Sequence, residues 1–191
     1  MVDRDLEDLA RDLDRRCRLR GQFVLRSGQV SDEYFDKYLF ESDPLLLRRV
    51  VDLMVDRIPP GTEMLGGLEL GGIPLATMLS SRTGLPALFV RKHAKPYGTR
   101  RLAEGGDPDE RSVLLVEDVI TTGGAVRAAA DALRSMGASV THVVCAIDRG
   151  APGSNPLGDA GITVASVVTK ELLDSVSTQL PAAEGGWMPS R

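Results

Sequence analysis

Cysteine and histidine are scarce in this chain of 191 residues, which contains two of each. Cys17 and Cys145 lie far apart in the sequence, so the chain has neither a disulfide framework nor a CxxC zinc site. The two histidines, His93 and His142, argue strongly against a histidine-based metal cluster. We expect both cysteines to be small, buried hydrophobic residues.

Long apolar runs are also absent, and aromatic residues make up only 4% of the chain. No run approaches the roughly 18 residues that a membrane span requires. The first eight residues carry too many charges for a secretory signal peptide. With 42% hydrophobic and 26% charged residues, the chain is neither disordered nor fibrous. We therefore expect a cytoplasmic protein, folded as one compact domain with a sizeable core.

The charge balance and the missing motifs exclude further classes. Asp and Glu total 27 against 23 Lys and Arg, a net charge of −4, which argues against general nucleic-acid binding. The sequence contains no GxxxxGK[ST] loop and no GxGxxG after a strand, so it is neither a Walker protein nor a dinucleotide-binding protein of the usual kind. It also lacks the GxSxG motif of many serine hydrolases.

Hydrophobic periodicity predicts helices first and then, from residue 62, alternating strands and helices. The predicted helices cover residues 5–17, a segment opened by Pro44, 73–82 and 124–136, the last ending before Gly137. The predicted strands cover residues 64–65, 87–90, 113–116, 140–147 and 162–168, with a further candidate at 34–40. This pattern indicates an α/β fold with a parallel sheet covered on both faces, whose binding site lies at the carboxyl ends of the strands.

The strongest chemical signal follows the apolar strand at residues 113–116. Glu117 and Asp118 come at its carboxyl end, and Thr-Thr-Gly-Gly-Ala at residues 121–125 leads into a helix. Small residues and hydroxyls at a helix N-terminus bind phosphate, while carboxylates bind hydroxyl groups. A ribose phosphate satisfies both, with its phosphate in the turn and its hydroxyls on the carboxylates. The alternative is an ordinary helix start after an acidic strand end.

The second signal is a basic segment at residues 91–101. It carries five positive side chains, and its Pro and Gly residues argue against a helix. We expect a mobile loop whose cations close over a ligand that develops negative charge, such as a departing diphosphate. A solvated hairpin without a function is the alternative.

Together these segments resemble the type I phosphoribosyltransferases. The strand, acid pair and TTGGA turn resemble the family's motif for 5-phosphoribosyl 1-diphosphate (PRPP), and the RKxxKxxG spacing resembles the catalytic loop of its orotate phosphoribosyltransferases. Residues 23–28 with 34–36 are similar to the N-terminal hood, which covers the base. Residues 66–74 resemble the diphosphate loop, and residues 147–149 the strand end that places an arginine against the orotate carboxylate.

The resemblance implies the site residues. Lys95, Asp118 and Arg91 are expected to be catalytic. PRPP is expected to bind Arg91, Lys92, Lys95, Tyr97, Glu117, Asp118, Val119, Ile120, Thr121, Thr122, Gly123, Gly124 and Ala125. Orotate is expected to contact Thr121, Arg149, Arg26, Tyr34 and Phe35, and the diphosphate loop comprises Glu69, Leu70, Gly71 and Gly72.

The resemblance also implies a fold and an activity. The fold is the type I phosphoribosyltransferase fold, a mostly parallel central sheet flanked by helices, with helices and hood in 1–61, the core in 62–180 and a tail in 181–191. The activity converts orotate and PRPP to orotidine 5′-monophosphate and diphosphate in pyrimidine (UMP) biosynthesis. Mg²⁺ would be held mainly by PRPP and water, with no metal ligand from the protein. The protein partner would be a second copy of this chain, in a homodimer whose subunits share the basic loop. Neither a nucleic acid nor a membrane would be a partner.

Three positions depart from the family's usual pattern. Tyr97 stands where histidine is frequent, and its phenol can donate one hydrogen bond to a phosphate oxygen. Gly71 stands where many bacterial members have lysine, which removes one cation from the site. Arg26 replaces the usual hood lysine and keeps the charge in a different geometry.

Two other functions remain open at this point. One is a phosphoribosyltransferase for another nucleobase, against which the hood and Arg149 argue. The other is a non-catalytic regulator that binds PRPP, which would have little use for Arg91, Lys92 and Lys95. Such a regulator would also need a nucleic-acid-binding element, and no helix-turn-helix with a basic face precedes residue 62.

Overall fold

A six-stranded, mostly parallel sheet organises the chain, which a computed structural model describes over residues 4–24, 28–93, 102–151, 153 and 156–177. The helices are α1 (Arg4–Cys17), α2 (Tyr38–Glu41), α3 (Pro44–Val55), α4 (Gly72–Thr83), α5 (Gly124–Ser135) and α6 (Lys170–Ser177). The strands are β1 (Arg18–Val24), β2 (Val30–Phe35), β3 (Met64–Leu68), β4 (Ala87–Val90), β5 (Ala103–Glu104), β6 (Ser112–Ile120), β7 (Ser139–Asp148) and β8 (Thr163–Thr169).

The strand order in the sheet is β5-β4-β3-β6-β7-β8, and within the described part of this six-stranded sheet only the β4–β5 pair is antiparallel. Strands β1 and β2 form a separate antiparallel hairpin. Strand β6 lies between β3 and β7, so its carboxyl end emerges in the middle of the sheet edge. This confirms the predicted α/β fold with a mostly parallel sheet and puts the acid pair at the position where such sheets bind ligands.

Both faces of the sheet are covered by helices, because the side chains of β6 alternate between two hydrophobic clusters. Leu114 and Val116 pack in the cluster that also contains residues of α1, α3, α4 and α6. Val113 and Leu115 pack in the opposite cluster, with α5. A strand buried on both sides has to be apolar at successive positions, which is the pattern that the sequence shows.

The helix boundaries follow local chemistry. Helix α3 begins at Pro44, and the carboxylate of Asp43 accepts hydrogen bonds from the backbone N–H groups of Leu45 and Leu46, at 3.0 and 3.2 Å. Helix α4 ends at Gly84, which adopts a left-handed conformation with φ of 76°. None of the described helices has the length and apolar character that a membrane crossing needs.

The candidate strand at residues 34–40 is wrong in its second half. Strand β2 ends at Phe35, and the short helix α2 begins at Tyr38, whose N–H donates to the carboxylate of Asp36 at 3.1 Å. The helix turns the chain so that Phe40 is fully buried, which an extended segment would not achieve in this place. Strands β3 and β6 also run further than predicted, to Leu68 and Ile120, while β5 and α6 were not predicted.

Both cysteines are buried free thiols, as expected. Burial raises the pKa of Cys17 and of Cys145, because a thiolate loses its hydration in an apolar surrounding. The division of the chain at residues 61 and 180 stays a prediction.

Gly72 and Gly124 provide a matched test of how closely helices pack on this sheet, since each is the first residue of a helix that follows a central strand. A Cβ on Gly72 would lie 2.2 Å from the carbonyl oxygen of Val116, whereas a Cβ on Gly124 would meet the Thr122 hydroxyl at 3.8 Å. We expect Gly72→Ala to lower the free energy of unfolding by about 3 kcal/mol through overpacking. Gly124→Ala should change it by less than about 1 kcal/mol. Equilibrium urea denaturation measures both, and equal effects would contradict the close packing of α4.

Candidate active site

The acid pair lies inside β6 rather than after it. Glu117 and Asp118 are 8% and 0% exposed, and the strand continues through Val119 to Ile120. A backbone N–H group donates a hydrogen bond to each of these carboxyl groups. Oε1 of Glu117 accepts from the N–H of Asp118 at 3.3 Å, and Oδ1 of Asp118 accepts from the N–H of Val119 at 2.6 Å. The carboxylates therefore have defined orientations at the carboxyl end of the central strand.

The turn after β6 presents backbone donors at the start of α5. Thr121 and Thr122 are exposed, Gly123 adopts a left-handed conformation with φ of 73°, and α5 begins at Gly124. No side chain among the described residues caps this helix. The N–H groups of its first turn lack helical partners and carry the positive end of the helix dipole, so this turn can bind an anion such as a phosphate.

Asp118 is paired with a lysine that the sequence analysis did not single out. Nζ of Lys37 lies 2.5 Å from Oδ2 of Asp118. Burial alone would raise the pKa of Asp118, but its contacts with Glu117, Glu41 and Lys37 outweigh burial and hold that pKa below its usual range. Asp118 is therefore ionised at neutral pH.

The pKa values of the neighbouring glutamates shift in the opposite direction from that of Asp118. Burial, followed by the negative charge of Asp118, raises the pKa of Glu117 and of Glu41 well above the usual glutamate range. Burial and the negative charge of Asp118 thus favour the protonated form of the two glutamates, whereas Lys37 favours the ionised form of Asp118. The site thus holds one buried carboxylate and two carboxyl groups that can donate hydrogen bonds.

The loop between β3 and α4 lies beside this cluster. Gly71 precedes α4, and a Cβ on Gly71 would lie 1.7 Å from Oδ2 of Asp118. Glu69 begins the loop with a cis peptide bond to Leu70, and its Oε2 accepts the N–H of Lys92 at 2.9 Å. The predicted diphosphate loop is therefore in contact with the acid pair on one side and with the start of the basic segment on the other.

The basic segment leaves the sheet from the end of β4. Arg91 follows this strand, and its N–H donates to the carbonyl of Leu102 at 2.9 Å, which continues the antiparallel pairing of β4 with β5. Nε of Arg91 is buried and has no hydrogen-bond partner within the described ranges. Lys95 and Tyr97 lie outside the described residues. The segment thus leaves and returns to the sheet at one place, beside the diphosphate loop.

Arg149 and Phe35 come together on the other side of β6. The N–H of Arg149 donates to the carbonyl of Ile120 at 2.8 Å, next to Thr121, and its guanidinium lies 5.2 Å from the centre of the Phe35 ring. Tyr34 is 42% exposed, and its ring lies 5.6 Å from that of Phe23 across the hairpin. Arg26 lies outside the described residues. The structure therefore brings the hood residue Phe35 to the core residue Arg149 and to the turn.

Sequence reasoning missed Lys37, which immediately precedes the short helix α2, and Glu41, which is the last residue of that helix. The segment was a candidate strand, and nothing in its local pattern indicates that these two side chains meet residues of β6. For Lys37, the available signal was its position directly after Tyr34-Phe35-Asp36, in the segment that resembles the hood.

Comparisons with known proteins agree with the fold and with the motifs. Residues 57–169 match the family model described as "Phosphoribosyl transferase domain". The chain is 64% identical over 167 residues to an orotate phosphoribosyltransferase of a Nocardioides species, a match that covers 87% of this chain and 93% of that protein.

The structure is similar to crystal structures of orotate phosphoribosyltransferase from Mycobacterium tuberculosis H37Rv. The complex of that protein with inorganic phosphate has 27% identity and a TM-score of 0.78, and the match covers 90% of this chain and 99% of the other. The complex with PRPP has 27% identity and a TM-score of 0.73, with coverage of 89% and 99%. These matches confirm the resemblance that the acid pair and the TTGGA turn indicated. The chain belongs to the orotate phosphoribosyltransferases, within the wider family that carries the phosphoribosyl transferase domain.

Proposed function

We propose that this chain transfers the 5-phosphoribosyl group of PRPP to N1 of orotate, forming orotidine 5′-monophosphate and diphosphate in the pathway to UMP. One observation carries the proposal. A phosphate-binding turn, a buried carboxylate and an arginine beside an aromatic ring converge at the carboxyl end of β6. These groups match the phosphate, the ribose hydroxyls and the carboxylate of the two substrates.

The 5′-phosphate would bind the turn at residues 121–125. The free N–H groups at the start of α5 and the exposed hydroxyls of Thr121 and Thr122 provide donors for its oxygens. The neighbouring backbone at Val119 and Ile120 fixes the distance from the turn to the acid pair. In this arrangement the phosphate anchors the ribose while the reaction takes place at C1′.

The ribose hydroxyls would bind Glu117 and Asp118. As C1′ separates from the diphosphate, the ribose ring gains positive charge. The ionised Asp118 is buried, so its negative charge is little screened by water and stabilises that state. For this reason we assign to Asp118 a role in catalysis as well as in binding.

The leaving diphosphate would be held between the β3–α4 loop and the basic segment. Arg91, Lys92, Lys95 and Tyr97 are the donors, and the loop of Glu69, Leu70, Gly71 and Gly72 forms the opposite wall. The bond from Lys92 N–H to Glu69 supports this assignment, because it joins the two segments at their base. Positive charge from the basic segment stabilises the negative charge of the departing group and lowers the barrier to its release.

Orotate would lie between the hood and β7. Arg149 can bind the carboxylate of the base with two parallel hydrogen bonds, and Phe35 and Tyr34 provide flat surfaces for the ring. Thr121 and Arg26 complete the proposed set. The contact between the Arg149 guanidinium and the Phe35 ring supports it, since a base bound there would meet both groups.

The proposal includes Mg²⁺, held mainly by PRPP oxygens and water. The donor set fits this arrangement, because the buried carboxylate of Asp118 is already paired with Lys37. When bound, the ion would neutralise charge on the diphosphate. We further propose a cytoplasmic homodimer in which the basic loop of each subunit completes the site of the other.

Turnover of orotate tests the function directly. We expect the absorbance of orotate to fall when the purified protein meets PRPP and Mg²⁺, and Lys95→Ala to lower the rate about 100-fold or more, because a cation at the leaving group is lost. Lys170→Ala is the control, since Lys170 pairs with Asp174 on α6. If orotate is unchanged while another nucleobase is consumed, the base is wrong; if PRPP binds without any turnover, the protein is a regulator.

Replacing Arg149 tests the orotate subsite. We expect Arg149→Lys to raise the KM for orotate about 10-fold or more, because a lysine keeps the charge but cannot form two parallel hydrogen bonds with a carboxylate. The KM for PRPP should stay nearly constant. Arg111→Lys, in an exposed ion pair with Glu63, is the matched control. Equal changes in both KM values would contradict the assignment.

Mixing two inactive variants tests loop sharing. If Lys95 acts in the partner's site, a dimer of one Lys95→Ala chain and one Asp118→Asn chain contains one intact site. We expect the two variants, each with only a small residual activity alone, to recover roughly a quarter of the wild-type activity through random pairing after joint refolding in equal amounts. Absence of recovery, with dimers verified by light scattering, would place Lys95 in the site of its own subunit.

A further inference from the structure

Lys37 connects the N-terminal part of the chain to the centre of the site. It follows the hairpin strand β2 and precedes α2, and its Nζ lies 2.5 Å from Oδ2 of Asp118. The side chain of Lys37 is 32% exposed, whereas that of Asp118 is fully buried. The partly exposed side chain of Lys37 therefore places its ammonium group against the buried carboxylate cluster.

No other cation takes this place within the described residues. Asp118 is surrounded by Glu117 and Glu41, and its one ion pair with a residue that the structure describes is with Lys37. A carboxylate in a buried position is costly unless an opposite charge and hydrogen bonds compensate for its lost hydration. Without Lys37, Asp118 would face two further carboxyl groups and no ion-paired cation from the described part of the chain.

The diphosphate loop cannot provide the missing cation in this geometry. A Cβ on Gly71 would lie 1.7 Å from Oδ2 of Asp118 and 2.6 Å from Oε1 of Glu41. Any side chain at position 71 would therefore displace the carboxylates. The glycine at position 71 and the lysine at position 37 are compatible with each other, and each is required by the position of Asp118.

We infer that Lys37 is a positioning residue of the active site, which holds Asp118 as an oriented carboxylate and supplies the positive charge that Gly71 leaves out. The inference deepens the proposed function and depends on it, because it assumes that Asp118 binds the ribose of PRPP. Lys37 acts on one carboxylate oxygen, Oδ2, while the N–H of Val119 holds the other, Oδ1, at 2.6 Å. Together these two contacts fix the orientation of the buried carboxylate at the carboxyl end of β6, where the ribose would bind.

A double-mutant cycle tests whether Lys37 acts through Asp118. We expect Lys37→Met to lower kcat/KM for PRPP about 10- to 100-fold in the wild-type background, because Asp118 loses its counter-ion. In the Asp118→Asn background the same change should cost less than about 3-fold, since the carboxylate that Lys37 holds is already absent. Equal losses in the two backgrounds would overturn the inference, as would a wild-type rate in Lys37→Met.

Two further measurements separate positioning from a general loss of structure. Lys37→Arg should recover most of the activity, because it restores the positive charge, and the KM for orotate should stay nearly constant in all Lys37 variants. Lys170→Met is the matched control. The ammonium group of Lys170 pairs with Asp174 on α6, and neither residue belongs to the proposed site. If Lys37→Met and Lys37→Arg are equally impaired, or if the KM values for both substrates rise together, Lys37 has a structural role only.

The wild-type protein separates failure of the inference from failure of the proposed function. If it does not consume orotate, the function is wrong, and calorimetric titration with PRPP then provides the readout for the same cycle. The inference would still be supported if Lys37→Met bound PRPP more weakly than the wild type, while the double variant bound PRPP as tightly as Asp118→Asn alone.

Discussion

The buried carboxylate of Asp118 is the constraint on which this structure depends. The central strand of a doubly covered sheet is an apolar environment, and an ionised group is stable there only when its partners are fixed. Here those partners come from three parts of the chain: the backbone of β6 itself, Glu41 on α2 and Lys37 before it. The glycine-rich loop between β3 and α4 leaves the space that the carboxyl groups occupy.

The N-terminal segment contacts both of the proposed substrate subsites. The hairpin of β1 and β2 brings Phe35 to Arg149, and the next residues bring Lys37 to Asp118. Two contacts, two residues apart in sequence, thus join the segment to the proposed subsites for the base and for the ribose. A shift of the hairpin would change both contacts at once, so binding of one substrate is expected to influence the affinity for the other.

Local patterns were sufficient for much of the fold and for part of the site. The acid pair, the TTGG turn and the start of α5 are adjacent in sequence, so a local pattern was enough to place them together. Helix α2 and the contact of Lys37 with Asp118 could not be predicted, because a helix of four residues has almost no periodicity and the two residues are 81 positions apart. Strand β6 was predicted too short, since the polar pair Glu117 and Asp118 interrupts its apolar run although the strand continues to Ile120.

The two cysteines have a consequence of another kind. Cys145 lies opposite Glu117 in the register of β6 and β7, and Cys17 ends α1; both are completely buried, and burial raises the pKa of both thiols. A reagent that reacts with thiolates therefore reaches them only when the surrounding structure opens. The rate of labelling at each thiol becomes a measure of how often the central strands, and separately the N-terminal helix, come apart in the native protein. The chain thus carries two natural reporters of its own opening motions, one in the sheet and one beside the hairpin.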